Sequence, residues 1–446
     1  MRLIFKFLYL LYRFFSWIHY HGGRRFTPAG MLMVCALVAA GAMGVDTDST
    51  VTVQAFTPLF FLLFIAFGFS WFFHASFSAI RLLPRFGTVG LPFSYTVRVK
   101  NLSRKNQRGL TLLENLADPR PAFDDWLAAQ LADERRVRSF KFNQRTNRAF
   151  QQARVKESVL PPLLPGGEVE TRVEIIPLHR GMIRFTGITF ARPDPLGLFR
   201  SFVKTAVAQT VLVLPKRYPL PRVALPGTEK YQEGGVAMAA NVGRSDEFVS
   251  LRDYRRGDPV RHIHWRSWAK TGKPIVKEFE DDFFTRHALV LDTFTDDPRG
   301  VVFEEAVSVA ASFACSIQTQ ESLLDLLFVG PQAFSFTSGR GLAHADQMLE
   351  ILASVRAISG QPFAPLEQLV LEHAAGVSGC IFVLLSWDDA RQELVRKLKM
   401  LGVPVLVIVV VEAEGETALP LGTMRDEPEK FHVLEVGKIE AGLAKL

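Results

Sequence analysis

Cysteine is scarce in this chain: Cys35, Cys315 and Cys380 are the only three in 446 residues. An odd, widely spaced set excludes a disulfide framework, matches no metal-ligand spacing and fits a reducing compartment. Lysine and arginine are missing altogether between Phe26 and Ile80, where Asp46 and Asp48 are the only formal charges. No nucleophile stands beside a base at a spacing that would nominate a catalytic pair. The net charge of +7 does not by itself imply a nucleic-acid partner. Arg2, Lys6, Arg13, Arg24 and Arg25 supply five positive charges before any globular domain begins, and basic residues flanking an apolar segment more often set topology than bind ligands.

Apolar residues are plentiful. They make up 48% of the chain, with 37 Phe, against 22% charged residues, a balance that suggests a soluble body joined to membrane segments. Residues 29–45 carry no charge, near the lower length limit for a span, and 56–80 form a longer uncharged run. Arg24 and Arg25 precede the first run, and Arg81 and Arg85 follow the second. The positive-inside bias then predicts a transmembrane helical hairpin with both termini and the soluble domains cytoplasmic. Arg2, Lys6, Tyr9, Arg13, Ser16 and Tyr20 fall on one helical stripe, so residues 3–20 predict an interfacial helix, with a third span as the alternative. A cleaved signal peptide is not expected, because Lys6 and Arg13 break the apolar start.

From residue 85 the hydrophobic period becomes two. Phe93, Tyr95, Val97 and Val99 alternate with polar neighbours, as do Val169, Thr171, Val173 and Ile175. Short strands at 182–191 and 206–215, separated by Gly and Pro, complete a β-sandwich-like middle domain over 85–215. After 283 the pattern changes again. Nearly all-apolar strands at 287–294, 322–330, 380–386 and 403–411 alternate with helical stretches at 303–320, 341–358, 364–375 and 388–401. This predicts a Rossmann-like α/β domain over 284–446. Ligands of such sheets lie at the strand carboxyl ends, which here carry DTFTDD (292–297) and SWDDA (386–390). These ends resemble the metal-ion-dependent adhesion site of von Willebrand factor A domains. Asp292 matches the first Asp of Asp-x-Ser-x-Ser, the Ser positions fall on Phe294 and Asp296, and Asp388 stands for the later acidic ligand. Phe cannot ligate Mg²⁺, so the motif is degenerate. No resident cofactor is expected, and Mg²⁺ on Asp292, Asp296 and Asp388 stays open as an alternative.

The densest charge lies in the connector, 216–283. Between Arg252 and Lys273 stand five Arg, two Lys and two His against two Asp, with Tyr254, Trp265 and Trp268 among them. Asp258-Pro259 predicts a helix start and Gly272 its stop. His262 and His264 lack a third ligand, so zinc is not expected. Arg and Trp together could track a single strand of nucleic acid. The acidic Glu278, Glu280, Asp281 and Asp282 that follow favour an internal ion-pair network, with the indoles packed inward as a seam between domains.

This stretch resembles the signature of the bacterial domain-of-unknown-function 58 family, on Glu247, Phe248, Leu251, Arg252, Tyr254, Gly257, Asp258, Ile263, His264, Trp265, Ala269 and Lys270. An upstream segment resembles the family's Arg-Gly and Asp-Pro-x-Gly-Leu-Phe elements on Arg180, Gly181, Asp194, Pro195, Gly197, Leu198 and Phe199. The resemblance implies a von Willebrand A-like end and no established catalytic activity. It also implies adaptor work beside a MoxR-type AAA+ ATPase and, in some members, a membrane transglutaminase-like protein. The expectation is a membrane-anchored, multi-pass scaffold of the bacterial inner membrane. The alternative is a tethered nucleic-acid binder or nuclease acting through 252–273, and hydrolysis on Asp292 and Asp388 is a third.

Overall fold

A computed structural model describes residues 2–43, 50–71, 73–118, 120–124, 126–127, 151–221, 243–255, 258, 260, 263–282, 286–295, 297, 300–317, 323–338, 342–412 and 419–446. The chain divides into two units, Met1–Pro215 and Lys216–Leu446.

The first unit opens with helices α1 (Arg2–Arg25), α2 (Pro28–Met43) and α3 (Thr50–Trp71). None of the described helices is long and apolar enough to cross a membrane. This corrects the expected transmembrane hairpin, the third-span alternative and the multi-pass inner-membrane placement built on them. The reason lies in where the elements end. The α2 helix has 16 residues and rises about 24 Å, against a hydrocarbon core of roughly 30 Å. The run 56–80 is not one element: its helical part stops at Trp71, and its last residues enter strand β1 (Phe77–Leu82). Within β1, Phe77, Ala79 and Arg81 face inward. Arg81 is therefore no topology signal. Its guanidinium is fully buried and forks onto Glu114, with Nε to Oε1 at 3.1 Å and Nη2 to Oε2 at 2.6 Å.

The strands that follow are β2 (Phe86–Thr88), β3 (Phe93–Asn101), β4 (Thr111–Leu116), β5 (Ala153–Val155), β6 (Ser158–Val159), β7 (Glu168–Pro177), β8 (Gly181–Pro193) and β9 (Arg200–Leu214). They form two sheets, ordered β1-β3-β7-β5 and β2-β9-β8-β4-β6. One core joins the sheets: Tyr95, Val97 and Val173 from the first meet Leu112, Phe185, Phe190 and Val211 from the second. Alternation along β3 and β7 produces this face, since every second side chain points the same way. The Asp194–Phe199 turn anchors the helices. Asp194 Oδ1 accepts the N–H groups of Leu198 and Phe199, and Thr27 N donates to Leu198 O. Gly30 lies so close that a Cβ there would sit 1.9 Å from Leu198 O.

In the second unit β10 (Gly243–Asp253) and β11 (Ile275–Asp282) form an antiparallel pair of their own, with α4 (Trp265–Thr271) between them in sequence. There follow β12 (Arg286–Leu291), α5 (Val301–Ile317), β13 (Leu323–Val329), β14 (Ala333–Ser338), α6 (Leu342–Ser354) and α7 (Ala364–His373). The chain closes with β15 (Gly379–Leu384), α8 (Asp389–Met400), β16 (Val405–Val411), β17 (Phe431–Glu435) and α9 (Ile439–Leu443). The six-stranded sheet runs β14-β13-β12-β15-β16-β17, parallel except for β14. From β12 the chain builds first to one side and then, through β15, to the other. That reversal opens a crevice at the carboxyl ends of β12 and β15, the usual ligand position of such sheets.

Candidate functional site

Asp292 follows β12, and Asp388 caps α8 just beyond β15. The crevice between them is filled from within by Arg391. Its Nε donates to Asp292 Oδ2 at 2.7 Å, its Nη1 to Asp388 Oδ2, and its Nη2 to Phe294 O at 3.2 Å. The guanidinium also stacks 4.7 Å from the Phe363 ring centroid. Asp292 is wholly buried and both oxygens are engaged: Oδ1 accepts Phe294 N–H at 2.9 Å, and Oδ2 also accepts Leu385 N–H at 3.2 Å. Burial pushes its pKa up, while Arg391 and the two backbone N–H groups pull against that rise. The Asp388 side chain is half exposed and accepts Arg391 N, so the ion pair also caps the helix.

These residues do not fit a divalent cation. A guanidinium already bridges both carboxylates, Phe294 brings a ring instead of an oxygen, and Asp296 lies outside the described residues. Among the described residues no three His, Cys, Asp or Glu converge as metal ligands. Sequence reading named the two carboxylates and missed Arg391. The available signal was a cation in the first turn of a helix, where the dipole disfavours it unless a buried carboxylate holds it there.

The second candidate is the basic segment. Arg252 and Asp258 form a two-pronged pair, Nη1 to Oδ2 at 2.7 Å and Nη2 to Oδ1 at 2.8 Å, and Arg255 N–H donates to Oδ2 at 2.8 Å. The Arg252 fork, then this backbone bond, hold the Asp258 carboxyl down to about 2. The α-helix does not follow Asp258 directly. Ile263 instead bridges Val276, and His264 N donates to Ile275 O at 2.8 Å, which keeps the chain extended. The helix therefore begins at Trp265, later than Asp258-Pro259 suggests. It ends as expected at Gly272, left-handed with φ 69° and its N–H on Trp268 O. His264 Nδ1 lies 2.7 Å from Ser267 Oγ.

The inward-facing indoles are also corrected. No residue of α4 is buried, and Trp265 is 61% exposed. Trp265 and Trp268 stack on each other, with centroids 5.3 Å apart and planes at 19°. Arg255, Arg266, Lys270 and Lys273 of the same segment are exposed, and none of the four forms an ion pair among the described residues. Of the remaining signature residues, Ile263 is buried and Tyr254 N donates to Pro274 O. Glu247 and Phe248 lie in β10 beside register shifts at Arg244/Phe248 and Phe248/Ser250. Their side chains, like Gly257 and His262, lie outside the described residues. The segment thus yields one clasp, Arg252–Asp258, and one exposed aromatic-cationic face.

Residues 250–441 match the family described as "Protein of unknown function DUF58". Those residues resemble this family, in a match that takes in less than half of the chain. The chain also resembles the "Uncharacterized protein YeaD" of Bacillus subtilis (strain 168), at 27% identity over 193 residues. That match covers 43% of this chain and 47% of the relative. Among solved structures, a CARDB domain from Pyrococcus furiosus covers 31% of this chain and 94% of its own, at 12% identity and a TM-score of 0.16. A β-glucosidase from Listeria innocua covers 31% of this chain and 16% of its own, with the same identity and score. Likeness at that score carries no structural argument.

Proposed function

We propose that this chain is a non-catalytic adaptor whose C-terminal unit docks onto a MoxR-type AAA+ ATPase, the partner class that its family resemblance implies. The observation that carries this reading is the Trp265–Trp268 stack, with Trp265 exposed and Arg266 and Lys270 exposed on the same short helix, on the segment that holds the family signature. Exposed Trp with neighbouring Arg is the composition of interface hot spots, because a large rigid ring loses water at small entropic cost. Asp292 supports the same reading, since its crevice is spent on an internal ion pair.

The full chain, mixed with a MoxR-type ATPase from the same genome, is expected to retain it on affinity resin, and Trp265→Ala or Lys270→Glu to release it. No retention in either the ATP or the ADP state overturns the proposal. The same exposed face favours single-stranded nucleic acid as the second reading. That reading requires DNA binding that falls steeply with salt, measurable by fluorescence anisotropy at two salt concentrations.

A further inference from the structure

In the first unit, the end of α1 and the β8–β9 sheet surface border a half-open cavity of about 450 Å³. Three cations line it, Arg24, Arg25 and Lys204, and no Asp or Glu does. Asn115, Thr186 and Thr205 add amide and hydroxyl groups, and Phe202 gives one apolar wall. The cations are held in different ways. Arg24 Nη2 donates to Glu114 O at 3.3 Å and lies over the Tyr20 ring, 5.3 Å from its centroid. Arg25 lies between the rings of Phe199 and Phe202, at 5.7 Å and 5.4 Å. Lys204 is exposed at the rim. The Glu114 carboxylate, whose backbone carbonyl Arg24 touches, is engaged by Arg81. Aromatic faces, the Tyr20 hydroxyl and a backbone carbonyl position the guanidinium groups, and among the described residues no carboxylate pairs with them. Three positive charges sharing one hollow repel each other, and an anion within it removes that cost.

We propose that this cavity binds a phosphate group. Guanidinium forks, an ammonium and short hydroxyl donors match tetrahedral oxyanions, and the volume admits a small organic phosphate beyond the bare ion. The phosphate could be free or carried on a lipid headgroup, and the two sources are separable.

The test titrates the full chain by calorimetry with three probes: inorganic phosphate, monomeric dihexanoyl-phosphatidylglycerol, and dihexanoyl-phosphatidylcholine as the zwitterionic control. Binding of the first two points to the phosphate group alone, and binding of phosphatidylglycerol only points to a carried phosphate. Either supports the proposal. Lys204→Gln is expected to weaken binding about tenfold, the scale of one charge-assisted contact, with an unchanged melting temperature. Lys156→Gln, at an exposed lysine remote from the cavity lining, is expected to change nothing. Binding of neither anion, equal binding of phosphatidylcholine, or full affinity in Lys204→Gln overturns the inference.

Discussion

Arg391 is 6% exposed, and Asp292 is wholly buried beneath it. Breaking such a pair from one side strands a charge in a low-dielectric site, at about 3–5 kcal/mol. Arg391→Met is therefore expected to lower urea-unfolding stability by about that amount, and Asp292→Asn in the same chain to restore much of it. The pH dependence has a definite sign. A carboxyl whose folded pKa is raised stabilises most when protonated, and its contribution is lost as pH rises through that value. Without Arg391 nothing opposes the rise except the two backbone N–H groups, so the variant should be closer to wild type at pH 5 than at pH 8. Asp258 behaves oppositely. Its folded pKa of about 2 means that the clasp with Arg252 is present above the ordinary carboxylate range and lost as pH falls toward 2. In Arg252→Gln, carboxyl NMR titration is expected to show Asp258 moving back up toward its ordinary value. Asp292 was legible in the sequence because a polar residue ending an all-apolar strand marks a strand end. Its partner, 99 positions later in the chain, was not, since sequence spacing carries no sign of a pairing across a sheet crevice.

At the scale of elements, period-two alternation located β3 and β7, and continuous apolar runs located β12, β13, β15 and β16. The antiparallel edge strand β14, AFSFTS, was missed because its exposed edge lets polar residues in. The apolar run 56–80 misled for a physical reason. Its helical part and its strand part are equally uncharged, and only the alternation of Phe77, Ala79 and Arg81 shows the change of element. The start of α4 was misplaced because Asp258 and Pro259 satisfy a capping rule, while pairing of Ile263 and His264 with β11 keeps the backbone extended. The seat of α2 on the Asp194–Phe199 turn gives a test at this scale. Any Cβ at position 30 meets Leu198 O, so Gly30→Ala is expected to lower stability by about 1–3 kcal/mol through enforced displacement. Thermal unfolding monitored by circular dichroism measures it, and an unchanged midpoint would show that α2 does not sit on the turn.

Over the whole molecule, two compact units divide at Pro215 and Lys216. The second has its own core, in which Val290, Phe382, Val407 and Leu394 pack together. Residues 216–446 expressed alone are accordingly expected to unfold cooperatively, as a unit with its own core should. This unit carries the DUF58 match and both candidate sites. One site is closed by Arg391, and the other carries two stacked indoles, Trp265 exposed and Trp268 half-buried. The most direct measurement is the dissociation constant of the full chain for a MoxR-type ATPase in the presence of ATP, compared with that of Trp265→Ala/Trp268→Ala. Docking through the indole face requires the constant to rise by about tenfold or more while circular dichroism stays unchanged, because α4 buries no residue. Equal constants, or no binding by the unaltered chain, would contradict it.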